Sequence, residues 1–171
     1  VAAEPLRLDC AVPRIDRFSV WREGAHAAWL APEGVRIDAV AHRNALEAGG
    51  RTIAVMGCGI DRIYPARNQA LARQLAQTGL ILSEFPLGAP PLAQHFPRRN
   101  RLIAGLSQGC LVVEASLKSG SLITGRLAAE YGRDVFAVPG SIHSPQAKGC
   151  HRLIRDGAKL VDCLDDILQE L

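Results

Sequence analysis

The stretch Thr52-Ile53-Ala54-Val55-Met56-Gly57-Cys58-Gly59-Ile60-Asp61 decides the fold. An uncharged, apolar run of strand length that stops at a glycine reads as a strand buried on both faces, the habit of parallel sheets. Downstream, a helical pattern from about Ala66 to Thr78 carries Leu71 and Leu75 on one face and stops at Gly79. The next strand is Leu80 to Glu84, and the Pro- and Gly-rich passage Phe85 to Pro97 reads as a structured loop. Arg101 to Leu106 looks helical, Cys110 to Glu114 is a third strand, Gly120 to Tyr131 a helix, and Asp134 to Val138 a fourth strand. A short helix near His151 to Asp156, a small strand Ala158 to Val161 and a last helix near Asp162 to Leu171 complete the pattern. Strands and helices alternating at this spacing predict an α/β protein, three layers α/β/α around a mainly parallel sheet.

Upstream of this pattern, residues 1–33 show no sustained period of two or of 3.6 and are rich in Arg, Ala, Pro and Trp. The expected organisation is therefore an atypical segment over 1–33, an extension or a remnant, and one domain over 34–171.

With 171 residues, 48% hydrophobic and 22% charged, the chain is long enough to bury one sizeable core. Its net charge of +3 alone does not point to nucleic acid, but the charge is unevenly placed. His95 to Arg155 is strongly basic, while Asp156 to Leu171 is acidic. That separation suits an anionic partner on one face, although clustering on a solvated surface explains it equally well. The five cysteines (Cys10, Cys58, Cys110, Cys150, Cys163) are scattered, which argues against a disulfide framework or a zinc site. No apolar run reaches the length of a membrane span and no signal-peptide pattern is present, so a cytoplasmic protein without membrane contact is expected.

In parallel sheets, ligands gather at the carboxyl ends of the strands, where glycine turns lead into helices. Gly57 and Gly59 form one such turn, which could cradle a phosphate or serve only as a tight turn. Ser119, Gly120, Ser121 and Thr124 form another, suited either to an oxyanion or to ordinary helix capping. The third place is Arg98, Arg99, Asn100 and Arg101 after Pro97. Positive side chains at a helix start oppose the macrodipole unless an anion compensates, and that local cost argues for function. Phe96 could stack on a base or belong to the core. His42, His95, His143 and His151 stand apart, with no HExxH and no GxSxG pattern. No catalytic residue, metal site or cofactor is expected.

In order along the chain come Gly57-Cys-Gly-Ile-Asp61, Tyr64-Pro65-x-x-Asn68, Leu82-Ser-Glu84-x-Pro86-x-Gly88-x-Pro90-Pro91 and Phe96-Pro97-x-Arg99-Asn100-Arg101-x-Ile103-Ala104-Gly105-Leu106-Ser107. Val112-Val113-Glu114-Ala115, Ser119-Gly120-Ser121-Leu122-x-Thr124, Gly132-Arg133-x-Val135-Phe136-Ala137-Val138-Pro139-Gly140 and Leu153-Ile154-x-x-Gly157-Ala158 follow. This succession resembles the DNA-processing protein A family (DprA or Smf) from about Gly34 to Leu171. The resemblance implies a Rossmann-like domain that binds single-stranded DNA in a basic pocket, protects incoming DNA in natural transformation, helps load RecA and catalyses nothing itself. It further implies a homodimer formed through the C-terminal part of the domain. The acidic final stretch, with Leu164, Ile167, Leu168 and Leu171 at helical spacing, is a candidate interface, although packing within the monomer is the commoner cause of such a stripe. By the same resemblance, Arg99, Asn100 and Arg101 fall on the basic motif, and Gly57, Gly59, Ser119, Gly120, Ser121 and Thr124 on the glycine and serine turns. Ile37-Asp38-x-x-Ala41-His42-Arg43 matches the end of a Gly-Ile-Asp-x-x-Ala-His segment, with Arg36 where glycine is usual. The family's first Gly-Ser-Arg turn and its Ser-Gly turn have no counterpart in Val1 to Val35, so the usual first βαβ segment is expected to be lacking. The alternative is a nucleotide-processing enzyme of the phosphoribohydrolase kind, whose Pro-Gly-Gly-x-Gly-Thr-x-x-Glu motif is replaced here by Pro139-Gly140-Ser141.

Overall fold

In the computed structural model, residues 18–20 and 37–171 are described. The strands are β1 (Phe18–Val20), β2 (Ile53–Val55), β3 (Leu80–Leu82), β4 (Gly109–Val112), β5 (Asp134–Ala137) and β6 (Lys159–Leu160). The helices are α1 (Ile37–Glu47), α2 (Gln69–Thr78), α3 (His95–Leu106), α4 (Ser121–Glu130), α5 (Lys148–Arg155) and α6 (Asp165–Leu168). Short 3-10 turns, Ala66–Asn68 and Pro145–Ala147, lead into α2 and α5. All five strands expected from the sequence are present, and every strand pair is parallel.

Among the described residues the strands fall into two hydrogen-bonded groups, β1-β4-β5-β6 and β2-β3, where the sequence suggested one continuous sheet. Of the segment 1–33, Phe18–Val20 supplies β1 alongside β4. The remainder of that segment lies outside the described residues, and with it the expectation of a missing first unit.

Side chains alternate across the strands with the period of two that pleating dictates. From β4 and β5, Cys110, Val112, Val135 and Ala137 pack with Ala104, Leu122, Ala128, Cys150 and Leu153 of α3, α4 and α5. On the opposite face Phe136 meets Ile167 of α6, Val161 and Leu111. In the smaller group Ala54 faces Leu71 and Leu75 of α2 and Ala39 of α1, while Ile53 and Val55 face Leu102 and Ile103 of α3. Adjacent residues of α3, Ile103 and Ala104, thus serve the two strand groups. With α3, α4 and α5 on one face and α1, α2 and α6 on the other, the architecture is the expected α/β/α sandwich.

Three helices depart from expectation. Helix α3 begins at His95, inside the passage read as loop. Pro97 falls in its first turn, where a missing N–H breaks no intrahelical bond. Helix α6 is shorter than the expected 162–171 because the Asp166 carboxylate accepts the amides of Asp162 (3.0 Å) and Cys163 (3.2 Å), closing those residues into a bend. Helix α1 had no periodic signal, since its inner face is formed by Ala39, His42 and Leu46 rather than by a continuous apolar stripe. Among the described residues no helix is long and apolar enough to cross a membrane.

Candidate nucleic-acid interface

At the carboxyl end of β2 the chain turns through Gly57, Cys58 and Gly59, all buried. The turn is fixed from several sides. Ser83 donates through Oγ to the Cys58 carbonyl (2.6 Å), His95 Nδ1 bonds the Gly57 carbonyl (3.2 Å), and the Gly59 amide donates to the Ala89 carbonyl (3.0 Å). A Cβ on Gly59 would lie 2.6 Å from the Pro86 carbonyl, and one on Gly57 would lie 2.9 Å from the Phe96 ring. Glycine at both positions therefore admits the 86–89 loop and the first turn of α3. Asp61 completes the clamp by accepting the Gly88 amide (2.8 Å). Burial pushes the Cys58 thiol up, with the nearby Arg99 charge opposing the shift.

Helix α3 presents its four sequence-predicted residues in different directions. At about 100° per residue, positions three apart share a face. Arg98 and Arg101 are exposed on such a shared face, Arg99 is half-buried, and Asn100 is fully buried. Arg99 donates through a guanidinium nitrogen to the Val55 carbonyl and lies against the Phe96 ring, 5.6 Å from its centroid. The Thr52 carbonyl accepts from Leu80 of β3, so the alternating Val55 carbonyl points to the other edge of β2. Arg99 thus supplies the donor that a neighbouring strand would give to this edge.

The outer arginines meet the dipeptide that follows Ser83. The Arg98 guanidinium stands 6.0 Å from the Phe85 ring centroid, and Arg101 forms an ion pair with Glu84. Phe85 is itself held by stacking on His95, with centroids 4.0 Å apart and planes at 20°, and by its amide donating to Ser83 Oγ (3.1 Å). No acidic residue lies in the first turn of α3, so the positive end of the helix is not offset within the helix itself.

The serine turn lies at the start of α4, which packs on α3. The Ser119 hydroxyl donates to Ser121 Oγ (3.1 Å) and accepts the Ser121 amide (3.3 Å). Ser119 and Gly120 are partly accessible, whereas Ser121 and Thr124 are fully buried. The turn is therefore self-capped, with only its outer rim open to a ligand. At the amino end of β2, His42 Nδ1 bonds Thr52 Oγ1 (2.7 Å), and burial, then the Arg99 charge, lower its pKa.

The structure thus gathers Gly57, Gly59, Arg98, Arg99, Asn100 and Arg101 around the end of β2 and α3, with Ser119 to Thr124 on the packed neighbour α4. It turns Asn100, Ser121 and Thr124 inward. Glu84, Phe85 and His95 are partners that the sequence alone did not assign. The one available signal was an acid at a strand end within reach of a basic helix. The candidate interface stripe is also divided, because Ile167 is buried against Phe136 while Leu164 and Leu171 remain exposed.

Fold and edge together define a parallel α/β protein with a basic helix start and two small-residue turns on the carboxyl side of its strands. The chain belongs to the DNA recombination-mediator protein A family, which residues 34–171 match. It is similar to protein Smf of Escherichia coli K12, 55% identical over 136 residues that cover 79% of this chain and 36% of that protein. It is also similar to the DNA processing protein DprA of Streptococcus pneumoniae R6, 53% identical over 134 residues, 78% of this chain and 48% of that one. The chain thus spans about half or less of the length of these relatives. Among solved structures, the S. pneumoniae DprA superposes with a TM-score of 0.74 at 50% identity, covering 81% of this chain and 49% of that one. A Helicobacter pylori DNA processing protein A, described for its single-stranded DNA binding mode, gives 0.72 at 29% identity, covering 90% and 77%.

Proposed function

We propose that this chain binds single-stranded DNA along the exposed face of α3 and the adjoining turns, and that it does so without catalysing a reaction. The observation that carries this reading is the pair Arg98 and Arg101, exposed together on one helix face at the carboxyl side of the strands. Arg98 and Arg101 take the phosphates. Arg99 and Asn100 hold the helix in place behind them, Gly57 and Gly59 admit it to the sheet edge, and the rim of Ser119 and Gly120 continues the surface, with Ser121 and Thr124 behind. Nothing in this set reads base edges, so sequence preference is weak. In the cell the activity serves the protection of incoming DNA during natural transformation and the loading of RecA. The protein works in the cytoplasm as a homodimer whose interface includes Leu164 and Leu171.

Support comes from membership in a recombination-mediator family and from the single-stranded DNA binding described for the H. pylori neighbour. The test is a fluorescence-anisotropy titration of labelled single-stranded and duplex oligonucleotides at 50 and 200 mM salt. Each phosphate contact contributes about −0.7 to the logarithmic salt slope on a single strand, so Arg98→Ala with Arg101→Ala lowers the slope by about 1.4. A folded double variant with wild-type affinity and slope would remove this face from the account.

A further inference from the structure

The basic face of α3 is exposed but already partnered within the chain. Both of its exposed arginines are engaged by the Glu84–Phe85 dipeptide, Arg101 by the carboxylate and Arg98 by the ring. The dipeptide is anchored on either side of Glu84. Ser83 is tied to the Cys58 carbonyl, and Phe85 is stacked on His95 and bonded to Ser83 Oγ. Glu84 is thus placed by the β3 end and the glycine turn, rather than drifting to Arg101 from a free loop.

We propose that Glu84 is a built-in competitor for the phosphate that Arg101 binds, an inference that rests on the DNA-binding reading of α3. A carboxylate and a phosphodiester oxygen are both anions that seek the same guanidinium donors. The Arg101 and Glu84 side chains are 52% and 43% exposed, so a phosphate can reach the pair. Exposed pairs of this kind shift an equilibrium by no more than about five-fold, so the mask is weak enough to be displaced. Its consequence is selective. A ligand offering one phosphate must displace Glu84 with a single contact, whereas a continuous strand brings neighbouring phosphates to Arg98 and the α4 turn at the same time. Glu84 therefore favours polymeric over monomeric anions on a surface that would otherwise accept both.

The test compares wild type, Glu84→Gln, Arg101→Ala and the double variant, each shown to be folded by circular dichroism, in anisotropy titrations of a labelled oligothymidylate. Glutamine keeps the shape and removes the charge. The expected result is about two-fold tighter binding by Glu84→Gln at 50 mM salt, and no gain when Arg101 is already alanine. The inhibition constant of thymidine monophosphate should fall by a larger factor for Glu84→Gln, up to about five-fold, and equal factors for the two ligands would overturn the selectivity. Unchanged or weaker binding by folded Glu84→Gln, beside a wild type that binds, would overturn the mask and leave the DNA-binding reading intact. Binding by neither protein would overturn both, and binding by Glu84→Gln alone would overturn the weak, displaceable mask.

Discussion

The strand group β1-β4-β5-β6 and the pair β2-β3 use the same kind of short apolar strand, yet they are closed to different degrees. Around β4 and β5, Ala104, Val112, Ala128, Phe136, Ala137 and Cys150 are all 0% exposed. Around β2 and β3, Ala54 and Leu71 are each 9% exposed, and Leu80 is open to solvent. A parallel strand is stable when both edges and both faces are covered. Strands β4 and β5 have a strand on each side, whereas β2 pairs only with β3 among the described residues, and its far edge receives the Arg99 guanidinium. Helix α3, which carries the basic face, bridges the tight half and the loose one. The site thus sits between a half whose central strands are paired on both edges and one whose edge strand is covered by a side chain.

The largest expected effect tests the tight half. Phe136→Ala empties a fully buried site and should cost about 4 kcal/mol in urea unfolding, whereas Leu71→Ala in the looser half should cost about 2. Hydrogen exchange sharpens the contrast, because Leu71→Ala should speed exchange in α2, β2 and β3 while β4 and β5 remain protected. Equal losses and uniform exchange would erase the distinction between the halves.

A smaller effect is expected at the junction. Arg99→Ala takes a charged donor from the Val55 carbonyl and should cost about 1–3 kcal/mol, seen as a lowered urea midpoint. Arg98→Ala, on the outer face, should leave that midpoint unchanged. If the two variants were equally stable, Arg99 would not be the cover for the β2 edge.

The smallest effect is a pH dependence confined to the looser half. Burial, and then Arg99, hold the folded pKa of His42 below its ordinary value of 6.5. Between the folded pKa and 6.5 the unfolded chain binds the proton more readily, so stability from this group is full above 6.5 and declines as pH falls toward the folded pKa. The urea midpoint of the wild type should therefore drop between pH 7.5 and pH 5.5 by more than that of His42→Asn. Parallel curves for the two proteins would show that His42 is not the group responsible.

Strands β2 to β5 were legible because each is a largely apolar run closed by a turn residue, a local signal complete within a few positions, whereas β1 lies in a segment without such a pattern. The basic motif was legible for the same reason, as Arg98, Arg99 and Arg101 are contiguous with Asn100. Helix α1 was not, since alanines and a histidine bury its face without an apolar stripe. The early start of α3 was hidden by Pro97, whose usual meaning as a helix breaker does not apply in a first turn. The apolar spacing of Leu164, Ile167, Leu168 and Leu171 suggested one helix, but an acid four residues after Asp162 closed a bend that periodicity does not register.

The sequence by itself determined the alternation of strand and helix, the glycine and serine turns at strand ends, the basic start of α3 and the resemblance to a DNA-processing family. These are written in runs of neighbouring residues. Only the tertiary structure decided which arginine faces solvent and which seals the edge of β2, because helical rotation fixes the angles between them but the packed sheet selects the inner face. It also decided that Glu84 meets Arg101 and Arg99 meets Val55, partners 17 and 44 residues apart that only chain folding brings together.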